Sequence, residues 1–258
     1  MDEQKVLILD TTLRDGEQTS GVSFTETEKL SLAKILLEEV KVDRLEITSA
    51  RVSEGEKRAA LRILNWAKDT SHLEKIEILG FVDQHESAKW IQEVGGKVMN
   101  LLAKGSVKHL RGQLRKTPEE HIESLIDTIE YANTLDIQVN LYLEDWSNGM
   151  IQSRDYVFQL MDALEDQSIL RFMLPDTLGI LQPSETAFFV SEMTHRYPKL
   201  KFDFHAHNDY DLSVANVLEA VKAGASCIHV TVNGLGERAG NAILSSSIAA
   251  LRDHLKID

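Results

Sequence analysis

The chain alternates short apolar runs with longer amphipathic stretches along its whole length. Eight of the apolar runs have the length and the residue types of buried β-strands. The predicted strands are Val6–Thr12, Arg44–Ser49, Ile76–Phe81, Val98–Leu102, Ile137–Leu143, Leu170–Leu174, Phe202–His207 and Ile228–Asn233. A stretch with helical periodicity follows each of them.

The amphipathic stretches repeat apolar residues at intervals of three and four, which is the period of a helix with one buried face. One of them, His121–Leu135, follows the tetrapeptide Thr117-Pro118-Glu119-Glu120. A capping threonine, a proline and two acidic residues in that order are typical of a helix start. The other clear helices are Glu26–Leu37, Ser184–Tyr197, Ser213–Ala223 and a last helix from about Ala242 to Leu255.

Eight strand–helix units with short connections predict parallel strands joined by right-handed crossovers. A doubly wound open sheet is the competing architecture. The number of units, the length of 258 residues and the lack of a Gly-, Ser- or Pro-rich linker favour closure into a barrel, which typically needs roughly 250 residues. We therefore predict an α/β protein with one domain, residues 1–258, folded as a single (β/α)8 TIM barrel.

Charge and composition narrow the functions open to such a barrel. A formal net charge of −13 disfavours general binding to nucleic acid or to an anionic membrane, so a polyanionic ligand would need local basic groups. No apolar run approaches the ~18 residues that cross a bilayer. Residues 1–5 are charged and unlike a secretory signal, so we expect a cytoplasmic protein. The single cysteine, Cys227, lies in an apolar stretch and predicts a buried thiol rather than a nucleophile.

Polar and apolar side chains alternate along three of the predicted strands. Successive side chains of a strand point to opposite faces, and the apolar faces must pack under the helices, so the polar faces point into the barrel. These polar faces are Asp203, His205 and His207 in the seventh strand, Gln138, Asn140, Tyr142 and Glu144 in the fifth, and His229, Thr231 and Asn233 in the eighth. Barrel interiors are usually filled by branched apolar residues, so three polar faces predict a functional cavity.

His205 and His207 lie two residues apart on the inward face at the end of a strand, where barrel active sites form. Both imidazoles can reach one metal ion, although a structural His-x-His pair is the alternative. Asp15 follows the first strand and adds a carboxylate, and Asn241 follows the eighth and adds an amide oxygen. Their alternative roles are a helix cap and a turn residue. The set suits a six-coordinate divalent ion with open positions, namely Mg, Mn or Zn.

Three further polar residues are placed to act on a bound substrate. Arg14 precedes Asp15 and would direct its guanidinium at developing oxyanion charge, unless it forms a surface ion pair. Glu144 ends the fifth strand and is either a base or base-orienting group, or a buried carboxylate paired with an arginine. Thr177 would donate its hydroxyl to a substrate carboxylate, or else cap a turn.

A glycine-rich loop between the eighth strand and the last helix is a candidate phosphate site. Barrels often bind phosphate at this end through backbone N–H groups and a helix N-terminus. An ordinary tight turn is the alternative. The candidate residues are Gly234, Gly236, Arg238 and Gly240.

Three motifs carry a family resemblance. The segment Asp10–Gln18, DTTLRDGEQ, resembles the opening signature of the acyltransferase barrels, which comprise 2-isopropylmalate, homocitrate and citramalate synthases, with HMG-CoA lyase a more distant relative. His205–Asp209, HAHND, and Asn233–Asn241, NGLGERAGN, are similar to the second and third signatures. The motifs stand at matching strand ends in the right order, so the resemblance covers the whole chain.

The resemblance implies an enzyme of amino-acid biosynthesis that condenses acetyl-CoA with a 2-oxo acid and then hydrolyses the thioester. The 2-oxo acid would chelate a divalent metal, and acetyl-CoA would be the co-substrate for which the glycine-rich loop is predicted. The positions that match the family's functional residues are Asp15, His205, His207 and Asn241 for the metal, Arg14 and Glu144 for catalysis, and Arg14, Asp15 and Thr177 for substrate binding.

The motifs look most like those of citramalate synthases, in which the positions matching Leu79, Leu102 and Tyr142 wall the pocket beside the substrate's side chain. Two leucines and a tyrosine leave room for little beyond a methyl group and offer no cation for a second carboxylate. Pyruvate therefore fits better than 2-oxoglutarate, whose distal charge would be unpaired. 2-Oxoisovalerate stays open, because a pocket discriminates alkyl chains by only ~1–3 kcal/mol per methylene. Plain core packing is the alternative role of both leucines.

The resemblance also implies a homodimer, and accessory and regulatory regions beyond the barrel that residues 1–258 do not contain. We therefore expect this chain alone to bind metal and 2-oxo acid with weak or absent turnover. Two other functions remain open at this point. One is a lyase or aldolase that cleaves a carbon–carbon bond on a similar metal, and the other is a non-enzymatic binding barrel.

Overall fold

Eight parallel strands pair in sequence order and the last pairs with the first, so the sheet closes into a barrel. The computed structural model describes residues 5–257. Residues 1–4 and 258 of the predicted domain lie outside this described part, and the charged N-terminal segment 1–5 therefore lies almost entirely outside it. The strands β1 to β8 are Leu7–Asp10, Arg44–Ser49, Ile76–Gly80, Val98–Lys104, Gln138–Glu144, Ile169–Asp176, Phe202–Ala206 and Cys227–Val230. The predicted (β/α)8 barrel is confirmed.

The helices surround the barrel, and the connections after β4 and β5 each carry two of them instead of the one predicted. The helices α1 to α10 are Glu26–Lys34, Glu54–Asp69, Glu86–Val94, Val107–His109, Pro118–Thr134, Trp146–Gln152, Arg154–Leu164, Pro183–Arg196, Ser213–Lys222 and Leu244–Ala250. π-Helical turns extend α1, α4 and α10. Between residues 5 and 257, no helix is both long and apolar enough to span a membrane.

The start of α5 shows how local sequence sets an element. The Thr117 hydroxyl accepts the Glu120 N–H at 3.2 Å, and the Glu120 carboxylate accepts the Thr117 N–H at 2.8 Å. Two of the N–H groups that a helix start leaves unpaired are thereby satisfied, and Pro118 occupies the first helical position. The predicted helix start is confirmed.

Two strands end two or three residues earlier than predicted, whereas β3 and β7 end one residue early. β1 stops at Asp10, because the Asp10 carboxylate accepts the Thr12 N–H at 2.8 Å and turns the chain. β8 stops at Val230, and Asn233 adopts a left-handed backbone with a φ of 55°. The prediction that Asn233 continues the inward face of the eighth strand is therefore wrong, since the two-residue alternation has ended before it.

The barrel interior is more polar than the three predicted faces suggested. Buried charged or amide side chains also come from β2, β3, β4 and β6, namely Arg44, Glu46, Glu77, Asn100 and Arg171. The apolar side chains of the opposite faces pack with the helices in one large core. Buried charges are tolerated only when they are paired, and the four charged residues form ion pairs with one another or with Arg14 and Asp203, while Asn100 donates a hydrogen bond to Glu46.

One glycine of α6 holds this helix against the end of β4. A Cβ atom on Gly149 would lie 2.0 Å from the carbonyl oxygen of Gly105, the residue that follows β4. A Cβ on Gly112, in the π-helical turn after α4, would meet nothing within 4 Å. The close packing of α6 therefore requires Gly149 and places no such demand on Gly112.

We predict that Gly149→Ala lowers the free energy of unfolding by about 1–3 kcal/mol, because the methyl group must displace backbone. Gly112→Ala is the matched control, for which we expect no loss and a gain of up to ~1 kcal/mol from helix propensity. Urea unfolding followed by circular dichroism measures both. Equal stability of the two variants would contradict the packing argument.

Candidate active site

A cavity of about 250 Å³ opens at the C-terminal ends of the strands. The loops and strand ends around it bring together residues that are more than 200 positions apart in sequence, because a closed barrel places β1 beside β8. Every residue predicted for catalysis or for contact with the 2-oxo acid lines this cavity: Arg14, Asp15, Leu79, Leu102, Tyr142, Glu144 and Thr177. His205 and His207 line it as well.

Asp15, His205 and His207 form the tightest group in the cavity. The two histidine Nε2 atoms lie 3.3 Å apart, and Asp15 Oδ2 lies 3.4 Å from that of His205 and 3.9 Å from that of His207. All three side chains are buried, and Asp15 Oδ1 has no hydrogen-bond partner. Three atoms with lone pairs thus converge on one point, which is the arrangement that a metal ion can occupy.

The protonation states of these groups also match those of metal ligands. Burial lowers the pKa of His205 and lowers that of His207 to about 4, although the Asp15 carboxylate acts in the opposite direction. Burial would raise the pKa of Asp15, but Arg14 and the two histidines hold it well below its usual range. Neutral imidazoles and an ionised carboxylate are the forms that bind metal.

Asn241 lies at the edge of the same group. Its amide nitrogen donates to the Leu235 carbonyl at 3.0 Å, and its Oδ1 is buried without a hydrogen-bond partner. A Cβ atom on Gly236 would lie 2.1 Å from Asn241 Nδ2 and 3.3 Å from Asp15 Oδ1, so both side chains pack against this glycine. The unpaired oxygen fits the role predicted for Asn241, and a divalent ion could be held by Asp15, His205, His207 and Asn241.

Arg14 is held beside this group by two carboxylates. Its Nε donates to Glu46 Oε2 at 2.6 Å and its Nη1 to Asp15 Oδ2 at 3.1 Å. The alternative of a surface ion pair is wrong, because the Arg14 side chain is only 11% exposed and that of Glu46 is fully buried. Sequence analysis missed Glu46, which lies on the same face of β2 as Arg44 and therefore points inward.

Glu144 pairs with a lysine and not with the arginine that sequence analysis considered. Lys104 Nζ bonds the Glu144 carboxylate, and His109 Nδ1 lies 3.6 Å from Glu144 Oε1. Lys104 and Glu144 are register partners on β4 and β5. Lys104 was missed because the predicted fourth strand ended two residues too early, and His109 lies in the short helix after that strand, where strand periodicity gives no signal.

The Thr177 hydroxyl stabilises a turn as an acceptor and keeps its proton available for a ligand. Its Oγ1 accepts the Asp145 N–H at 2.9 Å, which leaves the hydroxyl proton for another acceptor. The neighbouring carbonyl of Thr177 accepts from Arg238 Nη2 at 2.7 Å. The two roles that sequence analysis treated as alternatives are therefore compatible.

The N–H groups of the three glycines in the glycine-rich loop form hydrogen bonds within the protein. Gly234 N–H donates to the Thr231 carbonyl, Gly236 N–H to the Thr19 hydroxyl and Gly240 N–H to the Glu237 carbonyl. Arg238 donates twice to Asp209, at 2.8 and 3.0 Å. In this conformation a phosphate would have to displace these bonds, and contact with acetyl-CoA stays a prediction for Gly234, Gly236, Arg238 and Gly240.

A buried histidine supports the strand end that carries Lys104. His121 Nε2 accepts the Lys104 N–H at 3.0 Å, and the side chain is fully buried. Burial lowers the pKa of His121 to about 4, and Lys116 and Lys104 act in the same direction. The imidazole must therefore stay neutral in the folded protein.

Comparisons with known proteins cover the whole barrel. The HMGL-like family model matches residues 5–257. A homocitrate synthase of Sulfolobus acidocaldarius is 35% identical over 98% of this chain and 53% of its own length. Homocitrate synthase AksA of Methanopyrus kandleri is 38% identical over 98% of this chain and 62% of its own length. The chain thus spans little more than half the length of these curated relatives.

Solved structures agree with the fold. Hydroxymethylglutaryl-CoA lyase from Pseudomonas aeruginosa superposes with a TM-score of 0.78 at 16% identity, over 99% of this chain and 87% of the lyase. The carboxyl transferase domain of Rhizobium etli pyruvate carboxylase, with pyruvate and biocytin, gives a TM-score of 0.76 at 15% identity, over 100% of this chain and 45% of that one. At these identities the superpositions support the barrel fold alone.

We predict that the protein binds one equivalent of Mn²⁺ or Zn²⁺, and that His205→Ala or His207→Ala weakens binding by at least ~100-fold. Loss of a direct ligand should exceed the ~10–100-fold typical of outer-shell changes. Titration calorimetry measures the affinity, and His195→Ala, in the exposed part of α8, is the control. Unchanged affinity in both cavity variants would show that the ion binds elsewhere.

We predict that His121 makes the fold sensitive to acid. The pKa of His121 is about 4 in the folded protein, against 6.5 for an unperturbed histidine. Between these two pH values the unfolded chain therefore binds more protons than the folded protein. The free energy of unfolding consequently decreases as pH falls from 6.5 towards 4. Between pH 7 and pH 5 the expected loss from this residue is about 2 kcal/mol. Urea unfolding at both pH values should show a smaller loss in His121→Gln than in the wild type, and His195→Gln should behave as the wild type.

Proposed function

The chain belongs to the HMGL-like family, and from that membership we propose that it joins acetyl-CoA to a small 2-oxo acid and then hydrolyses the thioester. The observation that carries the proposal is the convergence of Asp15, His205 and His207 at the barrel mouth, with the Arg14 guanidinium bonded to Asp15. Relatives named homocitrate synthase, which align over nearly the whole chain, support the same reaction class.

The residues around the cavity divide the work of binding and activation. A divalent ion held by Asp15, His205, His207 and Asn241 would polarise the keto group and orient the substrate. The Arg14 guanidinium stabilises negative charge that develops on the keto oxygen, and its bonds to Glu46 and Asp15 fix it in advance of the reaction. Thr177 donates its free hydroxyl proton to the substrate carboxylate.

We assign proton transfer during the condensation to Glu144. Its side chain is 21% exposed and lines the cavity, so a substrate can reach the carboxylate. Lys104 and His109, which are not among the residues that line the cavity, contact this carboxylate. Glu144 is therefore positioned to accept a proton from the acetyl methyl group, or to hold the group that does so.

The cavity favours pyruvate as the 2-oxo acid. Leu79, Leu102 and Tyr142 line it, and among the described lining residues Arg14 carries the one fixed positive charge. Two carboxylates already bind that charge, so a second carboxylate on the substrate would exchange water for neutral donors only, such as the Gln18 and Ser49 side chains, at a cost in desolvation. A methyl group meets no such penalty. The product would then be citramalate.

Homocitrate synthesis from 2-oxoglutarate is the second candidate. The names of the relatives at 35–38% identity favour it. It requires a cation or a hydrogen-bond donor at the far end of the cavity for the distal carboxylate. Relative affinities for the two acids separate the candidates.

We predict that the metal-loaded chain binds pyruvate more tightly than 2-oxoisovalerate or 2-oxoglutarate, as measured by calorimetry. Leu102→Ala should shift the preference towards 2-oxoisovalerate by roughly 10-fold, because a removed side chain makes room for methyl groups worth ~1–3 kcal/mol each. Leu114→Ala, at a partly exposed leucine outside the cavity, is the control.

Thiol release from acetyl-CoA with each acid reports turnover separately from binding, and we expect it to be weak for this chain alone. Tighter binding of 2-oxoglutarate than of pyruvate would favour homocitrate synthesis. If no 2-oxo acid binds the metal-loaded chain, the proposed condensation is wrong.

A further inference from the structure

A row of hydrogen-bonding groups runs from the cavity into the barrel interior. The Tyr142 hydroxyl lies 3.0 Å from His229 Nδ1, and His229 Nε2 lies 3.1 Å from Asp203 Oδ2. All three side chains are at most 3% exposed. Tyr142 lines the cavity, whereas Asp203 and His229 do not, so the two deeper residues act on the cavity only through Tyr142.

Asp203 is a carboxylate that can only accept hydrogen bonds. Arg44 Nη1 donates to its Oδ2 at 2.5 Å, and Arg171 Nε bonds its Oδ1. Both of its oxygens are bound by guanidiniums, which stay protonated in proteins and can only donate hydrogen bonds. The carboxylate is therefore ionised.

The same group does not form a second metal site, although Asp203, Cys227 and His229 lie close enough to share an ion. Arg44 Nη1 donates to Cys227 Sγ at 3.3 Å as well as to Asp203. A guanidinium already supplies the positive charge at this point, and a metal ion would be repelled by it. The arrangement is a fixed hydrogen-bond network.

The ionised carboxylate determines where the proton of His229 sits. The ring is buried, and the carboxylate that it faces is already paired with two guanidiniums, so the ring is neutral and carries one N–H. An unprotonated Nε2 would place its lone pair against the carboxylate, so Nε2 carries the proton and donates to Asp203. His229 Nδ1 is then an acceptor, and the Tyr142 hydroxyl must donate to it.

We propose that Asp203 and His229 turn the hydroxyl proton of Tyr142 away from the cavity, so that the wall beside the substrate's side chain offers lone pairs and apolar surface without a donor. This inference rests on the proposed function and adds a cause for its specificity. Tyrosine usually serves either as donor or acceptor. Here the donor role is taken, and a distal carboxylate meets repulsion at Tyr142 and no partner at Leu79 or Leu102.

The position of the proton can be measured without catalysis. In protein labelled with ¹⁵N in its histidine rings, long-range ¹H–¹⁵N spectra distinguish a protonated from an unprotonated ring nitrogen. We expect His229 to show the Nε2–H form, and its signals are identified by their loss in His229→Gln. The Nδ1–H form would overturn the proposal, because Tyr142 would then be an acceptor with its own proton free.

A double-mutant cycle tests the effect on ligand choice. In His229→Leu no acceptor faces the Tyr142 hydroxyl, which is then free to donate into the cavity, and Asp203 keeps both of its arginines. The ligand pair is 2-oxoglutarate and 5-methyl-2-oxohexanoate, which have the same number of non-hydrogen atoms and differ in charge. We expect His229→Leu to improve the relative affinity for 2-oxoglutarate by roughly 10-fold, the worth of a hydrogen bond to a charged group.

The effect must disappear in a Tyr142→Phe background, because it acts through the hydroxyl. The same improvement in both backgrounds, or none in either, would contradict the proposed role of the two residues. Pyruvate binding to the wild-type chain keeps the two hypotheses apart. If pyruvate binds and the mutant cycle shows no coupling, the proposed role of Asp203 and His229 is wrong and the proposed function stands. If no 2-oxo acid binds at all, the proposed function itself is wrong.

Discussion

One buried carboxylate, that of Asp203, links arginines near the start of the strands to the side chains below the cavity. The Arg44 guanidinium and the His229 imidazole both bind its Oδ2, and the Arg171 guanidinium binds its Oδ1. A buried charge without a partner costs several kcal/mol, so the group is stable only when it is complete. This requirement fixes the inward faces of β2, β6, β7 and β8 relative to one another. It also positions the cavity residue His205, since Asp203 and His205 are alternate residues of β7 and point to the same face.

The sequence was sufficient to predict the barrel and most of the cavity lining, and the physical reason is the two-residue period of strands. Polar residues at every second position of β5 and β7 had to point inward, and the closed barrel then had to bring His205 and His207 towards Asp15. The inward positions of Arg44 and Arg171 were not predicted, for a related reason. Each lies near the start of its strand, where a charged side chain is ordinarily solvated, and only the three-dimensional structure shows that both reach Asp203.

The glycine-rich loop marks a different limit of sequence analysis. A glycine can expose an N–H group to a ligand, or it can make room for another part of the protein. Gly236 makes room for the Asn241 amide, and a Cβ on Gly240 would lie 1.9 Å from the Gly234 carbonyl oxygen. Residue types alone do not separate the two uses. In this conformation the glycine N–H groups are bonded within the protein, and Gly236 shapes the space beside Asp15.

Substrate choice in such a cavity depends on where protons lie as well as on which residues are present. A tyrosine wall is compatible with a carboxylate when its hydroxyl can donate, and incompatible when that proton is already bound. Two arginines keep Asp203 in its ionised form, so Asp203 accepts a hydrogen bond from His229, and His229 accepts one from the Tyr142 hydroxyl. Charged residues deep in the barrel, remote from any substrate, would in this way separate a pyruvate site from a 2-oxoglutarate site. Relatives with the same fold and metal ligands could then differ in substrate through residues that never touch it.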